Sequence, residues 1–175
     1  ADVERLAGTV RLTESPVPTS DATAAPVTQQ VIDAQLGGDV TELFIPEYKP
    51  FFGDSVAFDL RATRTPDVGI SVETLNLTAA ALDLTGSVDL TADFAPRLID
   101  VSGTVATPLR LPVVLPLPGP ATLIERADIE VSYDAAQGDA LVVTANVRNL
   151  QRDDGILLDA MALRADGTIT LTDGN

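Results

Sequence analysis

From residue 55 onward, apolar side chains recur at every second position, and that period confines the chain to β-sheet. Val56, Phe58, Leu60 and Ala62 alternate with Ser55, Asp59, Arg61 and Thr63. Val68, Ile70 and Val72 follow, then Leu75 and Leu77, Leu82 and Leu84, and Val88, Leu90, Ala92 and Phe94. Further on, Ala127, Ile129, Val131 and Tyr133 alternate with Asp128, Glu130, Ser132 and Asp134. Leu141, Val143, Ala145 and Val147 form the mate of that run, joined to it by a turn around Gln137-Gly138-Asp139. Successive side chains of a strand point to opposite faces, so each run has one apolar and one wet face. Parallel βαβ units need long crossover helices, for which the chain has no room. The expected fold is all-β and antiparallel.

The lead is less regular. Residues 4–14 read as a strand through Leu6, Val10 and Leu12. Residues 15–27 are rich in Pro, Ser, Thr and Ala, which is loop chemistry. Val31, Ile32 and Leu36 recur at helical spacing before Gly37-Gly38, so residues 28–36 are the one stretch where a short helix is expected. Residues 15–38 thus form a loop-rich lead and 39–175 the main β region of a single unit, residues 1–175. A final strand is expected through Ile169 and Leu171.

A short element recurs as GTVRL at Gly8, GSVDL at Gly86 and GTITL at Gly167, with a weaker copy, GTVAT, at Gly103. Its spacing is too irregular for a solenoid, and the glycine is expected to allow a turn or bulge before each new strand. Residues 108–120, PLRLPVVLPLPGP, are apolar and proline-rich together. Five prolines exclude a central strand, so this stretch is expected as an extended lip over one end of the core.

One such strand cannot stand alone. Burying five aliphatic side chains gains roughly 7–15 kcal/mol, whereas ordering about ten residues of backbone costs roughly 10–20 kcal/mol. Neighbouring strands or a second layer must share the burial. Two closures serve: a two-sheet sandwich, or one sheet bent into an elongated groove with an apolar interior. The apolar fraction is 45%, aromatics are only 4% and Trp is absent. Small aliphatic walls leave room for hydrocarbon, but composition alone leaves the two closures even.

The net charge of −15 and pI near 4.1 repel phosphate backbones, so no nucleic-acid partner is expected, and docking onto an anionic leaflet is disfavoured. Without Cys or His there is no disulfide, no nucleophilic triad and no common zinc set, and no metal or other cofactor is expected. Lys49, the only lysine, stands beside Pro50 in an expected loop and makes a poor Ser–Lys base. Asp153-Asp154-Gly155 and Asp166-Gly167 lack the spacing of a calcium loop and read as turns. The abundant carboxylates fall mostly on wet faces and turns, and the sequon at Asn76 lies inside an expected strand. A catalytic role is not expected. No run of apolar residues is long enough to span a membrane as a helix. The start at Ala1 reads as a processed product or a piece of a longer chain.

Residues 39–90 run DVTELFIPEYKPFFGDSVAFDLRATRTPDVGISVETLNLTAAALDLTGSVDL. The order of acidic-hydrophobic lead, PEYKPFFGDS, strand, insert and L-x-L-x-G-x-x-x-L resembles TamB-type translocation and assembly module proteins, of the AsmA-like group of bridge-like lipid carriers. The resemblance extends more loosely through residues 129–167, about two thirds of the chain in all. It implies an inner-membrane-anchored, periplasmic protein whose strands form a taco-shaped β-groove, with the anchor outside this chain. It further implies phospholipid acyl chains or outer-membrane protein strands as cargo, and an outer-membrane barrel of the Omp85 type as partner of the full-length protein. The positions carried over are groove-lining strand residues: Val56, Phe58, Leu60, Leu82, Leu84, Val88 and Leu90. The later strands extend the set to Ile129, Val131, Leu141, Val143 and Val147. The alternative is a structural or adhesive β-sandwich module of a secreted bacterial protein.

Overall fold

A computed structural model describes residues 7–17, 27–138, 140–152 and 157–168. They form one antiparallel sheet of eleven strands. The strands are β1 (Ala7–Pro16), β2 (Thr28–Gly38), β3 (Val56–Thr65), β4 (Gly69–Ala79), β5 (Leu82–Thr91), β6 (Pro96–Ala106), β7 (Val113–Val114), β8 (Thr122–Ile124), β9 (Arg126–Asp134), β10 (Ala140–Arg152) and β11 (Leu157–Thr168). The order is a meander from β1 to β6. β6 then pairs with β9, β9 with β10, and β10 with β11. β7 and β8 prolong the lines of β6 and β9 beyond Ala106 and Arg126, with β8 taking over the edge of β10 at Gln151 and Arg152. The sheet is not closed into a barrel, and the described residues add no second sheet against it.

The strand expectation from residue 55 onward holds, with corrections at several ends. Residues 28–36, expected as a helix, are strand β2. Ile32, Ala34 and Leu36 alternate there and stand opposite Ala62, Leu60 and Phe58, so strand pairing on both sides overrides a local helical spacing. Within the lead, residues 28–38 are thus strand, and residues 18–26, the centre of the expected loop, lie outside the described residues. β5 stops at Thr91, and Ala92 and Phe94, expected in the strand, belong to a turn. There Ala95 donates its N–H to Thr91 Oγ1 at 3.0 Å, while Phe94 takes φ +62 and is 65% exposed. The recurring glycines lie inside strands, not ahead of them. Gly86 faces Leu75 and Val101 across both ladders, and a Cβ there would come within 2.5 Å of the Asp100 carbonyl oxygen. Its role is the close approach of β5 to β6. Asp166 and Gly167 are likewise strand rather than turn. Residues 4–6, Asp153-Asp154-Gly155, Ile169 and Leu171 lie outside the described residues.

One end of the sheet is plugged. Between β2 and β3 the chain makes two 3-10 turns, Thr41–Leu43 and Pro46–Tyr48, and the short helix α1 (Lys49–Phe52). The single α-helix among the described residues is thus at 49–52, and Lys49 starts it, 3.3 Å from Glu42, rather than lying in a loop. Gly53 ends α1 at φ +67, a conformation that glycine tolerates best. The carbonyls of Phe51 and Phe52 accept N–H bonds from Ala81 and Ala80 at 3.0 and 3.1 Å. From the proline-rich stretch, Val113 packs into the same cluster. Phe51, Ala81, Val105, Val113, Ile124 and Ala127 form the buried cluster, with Leu82, Leu115, Val147 and Leu150 packed on it.

Candidate functional site

Directly opposed residues in antiparallel strands share a face, so the ladder fixes which side chains stand together. All twelve positions expected to line a groove lie on one face. Nearest the plug, Leu82, Val105, Ala127 and Val147 stand in line, with Val56 close by on β3. The next line holds Phe58, Leu77, Leu84 and Ile129. After it come Leu60, Leu75, Val101, Val131 and Val143, then Val88, Ile99, Tyr133 and Leu141. Leu90 stands opposite Ile70 beyond these.

One irregularity preserves this face. Ala62 pairs with Val72 and Leu60 with Leu75, so β4 carries an extra residue at Glu73-Thr74. A one-residue slip would otherwise send Val72 and Ile70 to the wet side. Glu73 instead points to the wet face, where it accepts from Arg61 Nε and Thr63 Oγ1, both at 3.1 Å.

The face is larger than the sequence indicated. Val10, Leu12, Ile32, Ala34 and Leu36 extend it across β2 to β1. The helical reading of residues 28–36 hid the last three, although the I-D-A-Q-L alternation was the available signal. From β1 to β10 the face crosses eight strands, roughly 35 Å at about 4.8 Å per strand. Among the described residues nothing covers it: Val10 is 67% and Leu12 61% exposed, and most of its central side chains are half-buried. The apolar side is thus an open surface rather than an enclosed lumen. A recess of about 640 Å³ lies on the opposite, wet face, lined by Asp59, Asn76, Asp83, Thr85, Ser102 and Glu130 among others.

The wet face is laced across strands. Arg61 bridges Asp33 at 3.4 Å and Glu73 at 3.1 Å, and Thr85 donates to Asn76 at 2.9 Å. Arg126 holds Asp128 through Nε and Nη2 at 2.7 and 2.6 Å, and Thr104 donates to the same carboxylate at 2.9 Å. The Arg126 hydrogen bond is the main cause that holds the Asp128 carboxyl below its usual range, with Thr104 adding to it and desolvation opposing. A depressed folded-state pKa stabilises the fold above the unfolded-state value, and that contribution is lost as pH falls through the folded one. Melting temperature is therefore expected to drop below about pH 4 more steeply in the native protein than in Asp128→Asn. Equal slopes would mean that the pair contributes nothing. The effect is small and weakens in salt because both groups are half-exposed.

Among the described residues no three acidic side chains converge as metal ligands. The arrangement offers an apolar surface and a hydrogen-bonded wet surface, back to back. Comparison with protein-family models, with curated proteins and with solved structures found no match.

Proposed function

We propose that this chain is a non-catalytic segment of a periplasm-spanning carrier, and that its apolar sheet face shelters phospholipid acyl chains in transit between inner and outer membranes. One observation carries the reading: an apolar face that continues across eight strands without a covering layer among the described residues. Such a face is out of balance in water. Each half-exposed aliphatic side chain gains on the order of 1 kcal/mol when covered. Acyl methylenes gain about 0.8 kcal/mol each on burial, so a chain of about fifteen carbons gains on the order of 10 kcal/mol. The wall of Val, Leu, Ile and Ala presents no fixed shape, which suits a flexible hydrocarbon better than a rigid ligand. The resemblance of residues 39–90 to TamB-type proteins points the same way. From it come the inner-membrane anchoring of the full-length protein and its partnership with a barrel of the Omp85 type. The same face would serve outer-membrane protein strands in passage, whose outward side chains are also apolar.

Native mass spectrometry of protein purified from a membrane-containing host, paired with lipid extraction, tests the reading. Copurified phospholipid at near-stoichiometric amount is expected. A folded protein that carries none, and acquires none from supplied phospholipid, would sink it.

A further inference from the structure

We propose that the proline-rich lip and the arginine recess beside it form a docking surface for the headgroup layer of a phospholipid bilayer. The surface lies at the plugged end, apart from the open apolar face, so bilayer contact can fail while the sheet still retains acyl chains, and the reverse.

Charge is the first argument. The protein carries 26 acidic residues against 11 basic ones. Yet residues 101–124 contain no acidic residue and a single charge, Arg110. The lip is therefore the part of an anionic molecule that a phosphate layer does not repel. The plug beside it carries Asp39, Glu42, Glu47 and Asp54 against Lys49, so the favourable charge is confined to the lip and its arginine recess.

The second argument is what the lip displays. Leu109 is 78% exposed, and Leu111 and Leu117 are 59% and 51% exposed. Arg110 stands between two of these leucines at φ +53. This is the pattern of an interfacial anchor, with apolar side chains for the acyl boundary and a guanidinium for phosphate. Arg110 forms no ion pair among the described residues. It also lines a recess of about 510 Å³ shared with Arg126 and Arg148. The two carboxylates of that recess are engaged: Asp128 by Arg126, and Glu125 by the Asn149 side-chain amide.

The third argument is the backbone. A segment entering an interface must satisfy its N–H groups without bulk water. Prolines at 108, 112, 116, 118 and 120 have none to satisfy. Arg110 donates to the Thr107 carbonyl at 2.9 Å, Leu111 to Thr107 Oγ1 at 2.9 Å, and Leu115 and Leu117 to the Thr122 and Leu115 carbonyls at 2.8 Å. The lip thus closes most of its own donors. Tyr48 ties it to the plug by donating to the Leu117 carbonyl at 3.0 Å.

The chain has no tryptophan, so Leu111→Trp makes a single reporter, with Leu117→Trp as a second in case the first unfolds. Phe94→Trp reports from the turn at the far end of β6, roughly 35 Å away along an eleven-residue strand. With phosphatidylcholine vesicles, the lip reporters are expected to shift to the blue and to be quenched by headgroup-proximal nitroxide lipids, while the Phe94→Trp emission stays unchanged. Adding Arg110→Glu to a lip reporter is expected to weaken partition roughly tenfold, through loss of a charge-assisted hydrogen bond to phosphate. Three results would overturn the proposal: lip reporters that do not respond to lipid, an equal response at Phe94→Trp, which marks sticking by the open apolar face, or a blue shift that follows protein concentration without lipid, which marks a second copy on the lip.

Discussion

An aspartate at Val131 is expected to reduce the acyl lipid retained by the purified protein at least tenfold, and Leu84→Asp to do the same. Val131 stands between Val101 and Val143 on the central lines of the apolar face. An acyl chain lying there would have to desolvate the new carboxylate, at a cost of several kcal/mol, and each 1.4 kcal/mol is a factor of ten in occupancy. The fold itself is less affected, because the site is half-buried on an open face and the carboxylate stays hydrated in the empty sheet. Glu130→Gln, one residue away on the wet face, is expected to leave lipid content unchanged. In the full-length protein, crosslinking of lipid to this face should vanish in both aspartate variants. Crosslinking that survives both would show that acyl chains do not lie on this side.

Phe51→Ala is expected to cost about 3–5 kcal/mol in urea unfolding, since loss of a buried phenyl ring removes its transfer energy and leaves a cavity. Phe51 is 4% exposed, its ring meets Phe52 edge-on at 5.1 Å, and its carbonyl holds the β4–β5 turn at Ala81. The cluster around it is the only buried hydrophobic cluster among the described residues. Domain stabilities of about 5–15 kcal/mol leave little margin for such a loss. Phe94→Ala, in an exposed turn, is expected to change stability by less than about 0.5 kcal/mol. A cost below about 1 kcal/mol for Phe51→Ala would mean that the plug folds apart from the sheet.

The helical reading of residues 28–36 failed for a specific reason. Val31 and Ile32 are adjacent apolar residues, which a helix accommodates on one face and a strand must split. In the sheet they do split: Ile32 joins the apolar face, and Val31 faces Thr63 on the other. The bulge at Glu73-Thr74 was equally hidden, because a three-residue step from Val72 to Leu75 fits a turn as well as an extra residue in a ladder. Phe94 continued the alternation on paper, but Thr91 caps the turn with its hydroxyl and the strand ends.

Alternation determined that this chain is an all-β protein, and the lack of room for crossover helices that its strands run antiparallel; within each strand it put the candidate lining residues on one side, because side-chain direction in a strand is a local property of the backbone, while the register between strands made those sides one face. Which closure the sheet adopts was not local. A sandwich and a single open sheet ask for the same period of two, and only long-range pairing separates them. The tertiary structure brought β6 to β9 across the lip, set α1 and Val113 on Ala81 at one end, and left the apolar face without a covering layer among the described residues. Those outcomes depend on contacts between residues far apart in the chain, whose energies no local window of sequence contains.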